Sequence, residues 1–404
     1  MKITSFLLVV LCGAHAVGRS SAACIALGER CSESSECCDD LGFNKGTSCY
    51  DSQCEAECID VTDLAVPYPM PGDMTITPKD HIYCDTVTDL HVQGGTLTIK
   101  SSEITIQRVR FVVYDGASIV FDVDTTTFGP SPRTQDDHPG YSLWVLEGGS
   151  MSFSGDLVAN EVRDVRSFIG NWGDLDFAGT TTFTSNGNVL RSNFGGNVRF
   201  GGKASFINNF YLAIDNDDNL DGVGGTIVFE DEAYFEDNAG SFDGVSGGGV
   251  DNCDVCTMTF KKKATFKNHN VDEGAGAVFN QGSMLFKKAV FIDNNGNGGV
   301  GGGVGNAGDL TFKGRSVFKR NTMENDGGGL YNTGTVTFEG EPIFRKNFAE
   351  GNGGAIANVQ GGTILFNGVD PFFYNNKVSE GNCANIFNED STIVGVDGDL
   401  CNLQ

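Results

Sequence analysis

The 404-residue sequence is short of proline, with 9, and short of histidine, with 5. It has no N-x-S/T sequon despite its many asparagines, so asparagine reads here as a structural residue rather than a glycan acceptor. Beyond the first residues, no apolar run approaches the roughly 20 needed to cross about 30 Å of hydrocarbon, and no transmembrane segment is expected in the mature chain. Positive charge is also scarce: 27 Lys and Arg stand against 53 Asp and Glu, a formal net charge of −26. That balance argues against nucleic acid or an anionic membrane as partner, because both reward a positive surface. Leucine, normally the leading apolar residue, is outnumbered by phenylalanine, 21 to 30. What the chain does have is 56 glycines. Gly weakens a helix by about 1 kcal/mol per site, so this composition disfavours a helical protein.

Residues 1–23, MKITSFLLVVLCGAHAVGRSSAA, begin with Lys2, continue as an apolar run from Phe6 to Cys12, and end in small residues. This is the layout of a secretory signal peptide with two candidate cleavage points, and it predicts a secreted, extracellular protein. The C-terminal GVDGDLCNLQ resembles neither a lipid-anchor tail nor a retention signal.

Removal of Cys12 leaves twelve cysteines, an even number in an oxidising compartment. Seven crowd into residues 24–58: Cys24, Cys31, Cys37, Cys38, Cys49, Cys54 and Cys58. No His lies among them, which favours a disulfide scaffold over zinc. Cys84, Cys253, Cys256, Cys383 and Cys401 complete the even count. The order C-x6-C-x5-CC-x10-C-x4-C over Cys24–Cys54 resembles the inhibitor cystine-knot (knottin) framework, with a longer gap after the adjacent pair. The resemblance implies Cys24–Cys38, Cys31–Cys49 and Cys37–Cys54, leaving Cys58 to Cys84. Residues 59–80 hold four of the nine prolines and read as a connector into a second domain, 81–404.

That second domain repeats. A Gly-containing turn leads into a short alternating strand closing on Phe, as in NQGSMLF (280–286), NAGDLTF (306–312) and NTGTVTF (332–338). The closing Phe260, Phe286, Phe312, Phe338 and Phe366 are 26, 26, 26 and 28 residues apart. Inside each unit stand F-x-x-N (FIDN, 291–294; FKRN, 318–321) and a glycine run closing on Asn (GGGVGN, 301–306; GGGLYN, 327–332). A fixed period of this size means stacked units, none able to bury its apolar face alone. Three strand-sized alternations per period, parted by Gly and Asn turns, exclude helical repeats. Stacking places every Phe over the previous Phe in the interior and every Asn over the previous Asn, amide to amide. Gly is expected at corners needing positive φ or close backbone approach. The expectation is an all-β fold, a single-stranded right-handed parallel β-helix of about twelve coils, a rod about 55–60 Å long.

The stretch GGAIANVQGGTILFNGVDPFFYNN (353–376) looks like the repeats of chlamydial polymorphic outer membrane proteins. It is also similar to the generic repeat of pectate-lyase-like proteins, and the resemblance covers about 145–394. It implies a right-handed β-helix used at a cell surface, often in adhesion. Unlike that bacterial family the chain carries the cysteine module and no C-terminal membrane barrel, so anchorage by that route is not expected.

Enzymes resembling the pectate-lyase-like fold supply specific constellations to look for. Neither the G-H-G nor the R-I-K phrase of polygalacturonase-like hydrolases occurs. The acidic IDNDDNLDG (214–222) is the candidate Ca2+ segment, with Asp215, Asp217, Asn219 and Asp221 as ligands and Asp218 or Glu230 as additional oxygen donors. Asp217, Asn219, Asp221 and Gly222 fit the opening of a calcium loop, but Val228 stands where the EF-hand form needs Glu. No Arg or Lys base lies within the segment. The insertion GPSPRTQDDHPG (129–140) offers Asp136, Asp137 and His138 as a candidate binding set on a loop, where sites often sit. His269 takes a ladder position and reads as structural; Lys261–Lys263 read as solvent-facing; the glycine run 299–305 falls in register with the repeat. The expected function is a non-enzymatic structural or adhesive extracellular protein that contacts polysaccharide or surface proteins and needs no cofactor. The alternative is a Ca2+-dependent polysaccharide lyase; a third reading gives binding to the cysteine module, with the helix as its stalk.

Overall fold

The computed structural model describes residues 47–50, 53–56, 73–76, 78, 81–129, 142–162, 167–218, 221–240, 246–379, 383–396 and 400–401. The described residues contain no helix, and so none long and apolar enough to cross a membrane. They form a parallel β-helix of the right-handed type with about ten turns. Ten strand spacings correspond to a rod of about 45–50 Å. Counting every repeat phrase as a coil overcounts the ends, where a phrase supplies one strand and not a whole turn. Thr392–Val394, for example, pairs back onto Thr363–Phe366.

One coil shows why the sequence folds this way. In Asp309–Phe312 the alternation turns Leu310 and Phe312 inward and Asp309 and Thr311 outward. Gly314 bends the chain into Ser316–Lys319, which buries Phe318. After a corner and a glycine run, Leu330–Asn332 closes the turn, and Thr335–Phe338 then lies in register on Asp309–Phe312. Gly302 is required by close approach: a Cβ there would stand 2.3 Å from the Thr322 carbonyl oxygen and 2.4 Å from that of Gly328.

Two phenylalanine columns stand in the interior beside an aliphatic column that includes Met258, Met284, Leu310 and Val336. Phe229, Phe260 and Phe286 stack with centroids 4.6 Å apart at each step, as do Phe235 and Phe266 beside them. The columns meet edge to face, as between Phe260 and Phe266 at 6.0 Å and 80°. Both geometries suit the aromatic quadrupole.

Two asparagine columns are buried as well. Asn280 Nδ2 donates to Asn306 Oδ1 (2.8 Å), Asn306 Nδ2 to Asn332 Oδ1 (2.8 Å) and Asn332 Nδ2 to Asn358 Oδ1 (2.7 Å). The F-x-x-N asparagines form the second column, in which the backbone N–H of each also donates to the next side chain, as Asn321 N does to Asn347 Oδ1 at 3.0 Å. His269 interrupts this column between Asn238 and Asn294, fully buried.

The corner before each of these residues departs from expectation. Ser185, Asn208, Asp237, Asn268, Asp293, Arg320, Lys346 and Asn375 all have φ between +51° and +58°. The left-handed conformation costs a residue with a Cβ about 1–2 kcal/mol, less for Asn and Asp, and the buried column residue that follows, asparagine everywhere but at His269, is held through its backbone or side-chain hydrogen bonds.

Cys253 is bridged to Cys256 and Cys383 to Cys401. Strands Thr47–Tyr50 and Gln53–Ala56 pair antiparallel, with Cys49 opposite Cys54, and Cys84 lies on strand His81–Val92. Cys24, Cys31, Cys37, Cys38, Cys58 and residues 1–23, read above as a signal peptide, lie outside the described residues. The solenoid sheet takes in Met74–Ile76, paired with Leu97–Ile99, from within the stretch read as connector.

Candidate functional site

The acidic segment sits where two coils meet. Ile214–Asn216 pairs in register with Val250–Asn252, setting Asp215 directly against Asp251 while Asn216 and Asn252 continue the buried ladder. Two carboxylates on neighbouring strands at ladder spacing repel each other. Burial first, then the charge of Asp215, then that of Asp217, push the Asp251 carboxyl well above the usual carboxylate range. Beyond Asn216 the chain leaves the ladder: the Asp218 N–H donates to Asp217 Oδ1 at 2.9 Å, and Asp218 bridges antiparallel to Gly224, closing a small loop. Carboxylate oxygens of Asp217 and Asp218 and the sulfur of Cys253 gather within 4.8 Å of one another.

Of the expected ligands, Asp215 and Asp217 reach this place; Asp221 is exposed on the loop; Asn219 lies outside the described residues. Glu230 is elsewhere, paired with Arg199 (3.7 Å) and Lys261 (2.9 Å) at another corner. Asp136, Asp137 and His138 also lie outside the described residues. The carboxylate not anticipated is Asp251. Its signal was present, since IDN (214–216) and VDN (250–252) are the same phrase one coil apart. Cys253 sulfur is held in a disulfide, is no thiolate, and gives a cation no anionic ligand. The remaining donors are oxygens, the set that suits a hard cation such as Ca2+ rather than zinc.

The Cys253–Cys256 turn divides this acidic cluster from a second feature. A shallow groove of about 290 Å3 runs along the rod over four coils, with Thr257, Ser283, Asp309 and Thr335 stacked as its repeating wall. Gly282, Gly308 and Gly334 also line it, together with polar Asp254 and Gln281 and apolar Val255 and Ala307. The wall residues start the strands that end in the Phe column, so their outward direction follows from the alternation that buries the rings. No family model matches the chain, and no curated protein or solved structure matches it.

Proposed function

We propose that this chain is a non-enzymatic structural or adhesive extracellular protein whose solenoid presents its lateral faces to polysaccharide. The observation that carries the reading is the axial groove: small hydroxyl and carboxyl side chains repeat across four coils, and a linear polymer is the ligand shape such a groove suits. The leader-like segment 1–23 and the disulfides Cys253–Cys256 and Cys383–Cys401 support an oxidising compartment. The interior is filled by Phe, Asn and aliphatic columns, leaving outward positions as those free to vary between coils. Affinity electrophoresis of the full chain against a panel of neutral and acidic polysaccharides tests the reading. Retardation by at least one polymer, lost in Ser283→Trp, is expected; unchanged migration in all of them overturns it.

The acidic cluster favours a second reading, a Ca2+-dependent polysaccharide lyase, because Asp217, Asp218 and the burdened Asp251 converge on one place. Release of unsaturated oligosaccharides from a uronate polymer that requires Ca2+ and is abolished by Asp217→Ala would replace the first reading with this one.

A further inference from the structure

At the far end of the groove-wall strands the chain turns a corner after each buried Phe, and the charge on that corner is banded. Successive coils carry Glu230-Asp231-Glu232, then Lys261-Lys262-Lys263, then Lys287-Lys288, then Lys313 and Arg315, then Glu339 and Glu341. Seven cations thus share three consecutive coils of a chain whose net charge is −26.

The bands neutralise one another only at their margins. Lys261 pairs with Glu230 (2.9 Å), Lys313 with Glu339 (2.6 Å) and Arg315 with Glu341 (3.8 Å), while Glu232 is taken by Lys203 (3.2 Å). Lys262, Lys263, Lys287 and Lys288 are exposed and have no ion pair among the described residues. Lys263 and Lys288 are direct partners in the ladder. Like charges directly opposite on neighbouring strands are destabilising, and this chain has acidic residues in excess with which to relieve them.

We propose that this lysine corner binds the anionic groups, carboxylate or sulfate, of a linear acidic polysaccharide. The proposal rests on the reading that the rod binds polysaccharide and names the charge class of that ligand. The net negative charge does not oppose it: three coils span about 10 Å, similar to the screening length of about 8 Å at physiological salt, so the four lysines dominate the field just above them. The acidic bands at 230–232 and 339–341 limit the footprint to a few sugar units. A stiff duplex would have to cross both bands. The outward residues flanking the corner, Thr259, Leu285, Thr265 and Val290, give a single-stranded nucleic acid no ring on which to stack.

The test compares the full chain with a variant carrying Lys262→Glu, Lys263→Glu, Lys287→Glu and Lys288→Glu, and with the same four positions changed to Gln. Circular dichroism establishes that each folds. The probes are polygalacturonate, dextran sulfate, neutral dextran and a single-stranded DNA oligonucleotide. Binding to one or both anionic polysaccharides is expected, weakening with salt and weaker by about tenfold or more in the Glu variant. The two anionic arms separate carboxylate from sulfate. Equal binding by wild type and both variants, or binding to neutral dextran alone, overturns the lysine corner and leaves the polysaccharide reading standing. DNA bound as tightly as either polysaccharide overturns the choice of ligand class. No binding to any polysaccharide overturns both.

Discussion

His269 makes the rod sensitive to acid in a calculable way. Its Nδ1 accepts the Asn238 N–H at 3.1 Å, and its Nε2 is buried with no hydrogen-bond partner among the described residues. Burial is the main cause that lowers its pKa from 6.5 to about 4. A base with a depressed folded value contributes fully above the unfolded value, and that contribution is lost as pH falls below it. Each pKa unit corresponds to about 1.4 kcal/mol, so going from neutral pH to pH 5 should remove about 2 kcal/mol through this one side chain. His269→Asn removes the titration. It also lets position 269 accept from Asn238 Nδ2 and donate to Asn294 Oδ1, as other members of the column do. Urea denaturation followed by circular dichroism at pH 7.5 and 5.0 measures both proteins. The variant should gain about 2 kcal/mol on wild type between the two pH values. Parallel loss in the two proteins would refute the assignment of acid sensitivity to His269.

The other predictions concern the columns and the acidic pair. Phe260→Ala should cost about 3–5 kcal/mol, because the ring stacks on Phe229 and Phe286 and meets Phe266; a urea midpoint within error of wild type contradicts that. Asn306→Ala strands the buried Asn332 Oδ1 and should cost about 1–3 kcal/mol, read by the same assay. Asp251→Asn runs opposite to His269. A carboxyl with a raised folded pKa weakens the fold increasingly as pH rises above its unfolded value near 3.9. The substitution should therefore raise stability at pH 7 and give no gain at pH 3.5. If Ca2+ binds there, adding it should stabilise wild type more than the variant, and equal thermal shifts would sink the calcium reading.

The Phe and Asn columns were legible in sequence because every coil must supply the same atoms at the same height, so the constraint is printed every 26 residues or so. The left-handed corners were not. Five of the eight are Asn or Asp, which adopt the left-handed region more readily than other side chains, but Ser185, Arg320 and Lys346 serve as well, so no single residue type marks the corner. Asp251 escaped notice because its coil is longer, placing it 36 residues from Asp215 instead of about 26. Glu230 was misplaced for the opposite reason. It is close to the acidic segment in sequence, but a corner of the coil stands between them. The lysine corner was visible only as a single run, Lys261–Lys263, until the stack set Lys287 and Lys288 beside it.

The parallel ladder also fixes how the molecule would respond to pulling. Its interstrand hydrogen bonds lie along the rod axis, so tension between the ends loads one coil at a time. A coil such as the one between Phe260 and Phe286, peeled away, gives up about 5 Å of rod and releases about 90 Å of extended chain. A rod built this way lengthens many-fold as successive coils peel away. The Cys383–Cys401 bridge closes a loop within the last coil, so chain inside that loop is withheld from extension until the bond is reduced.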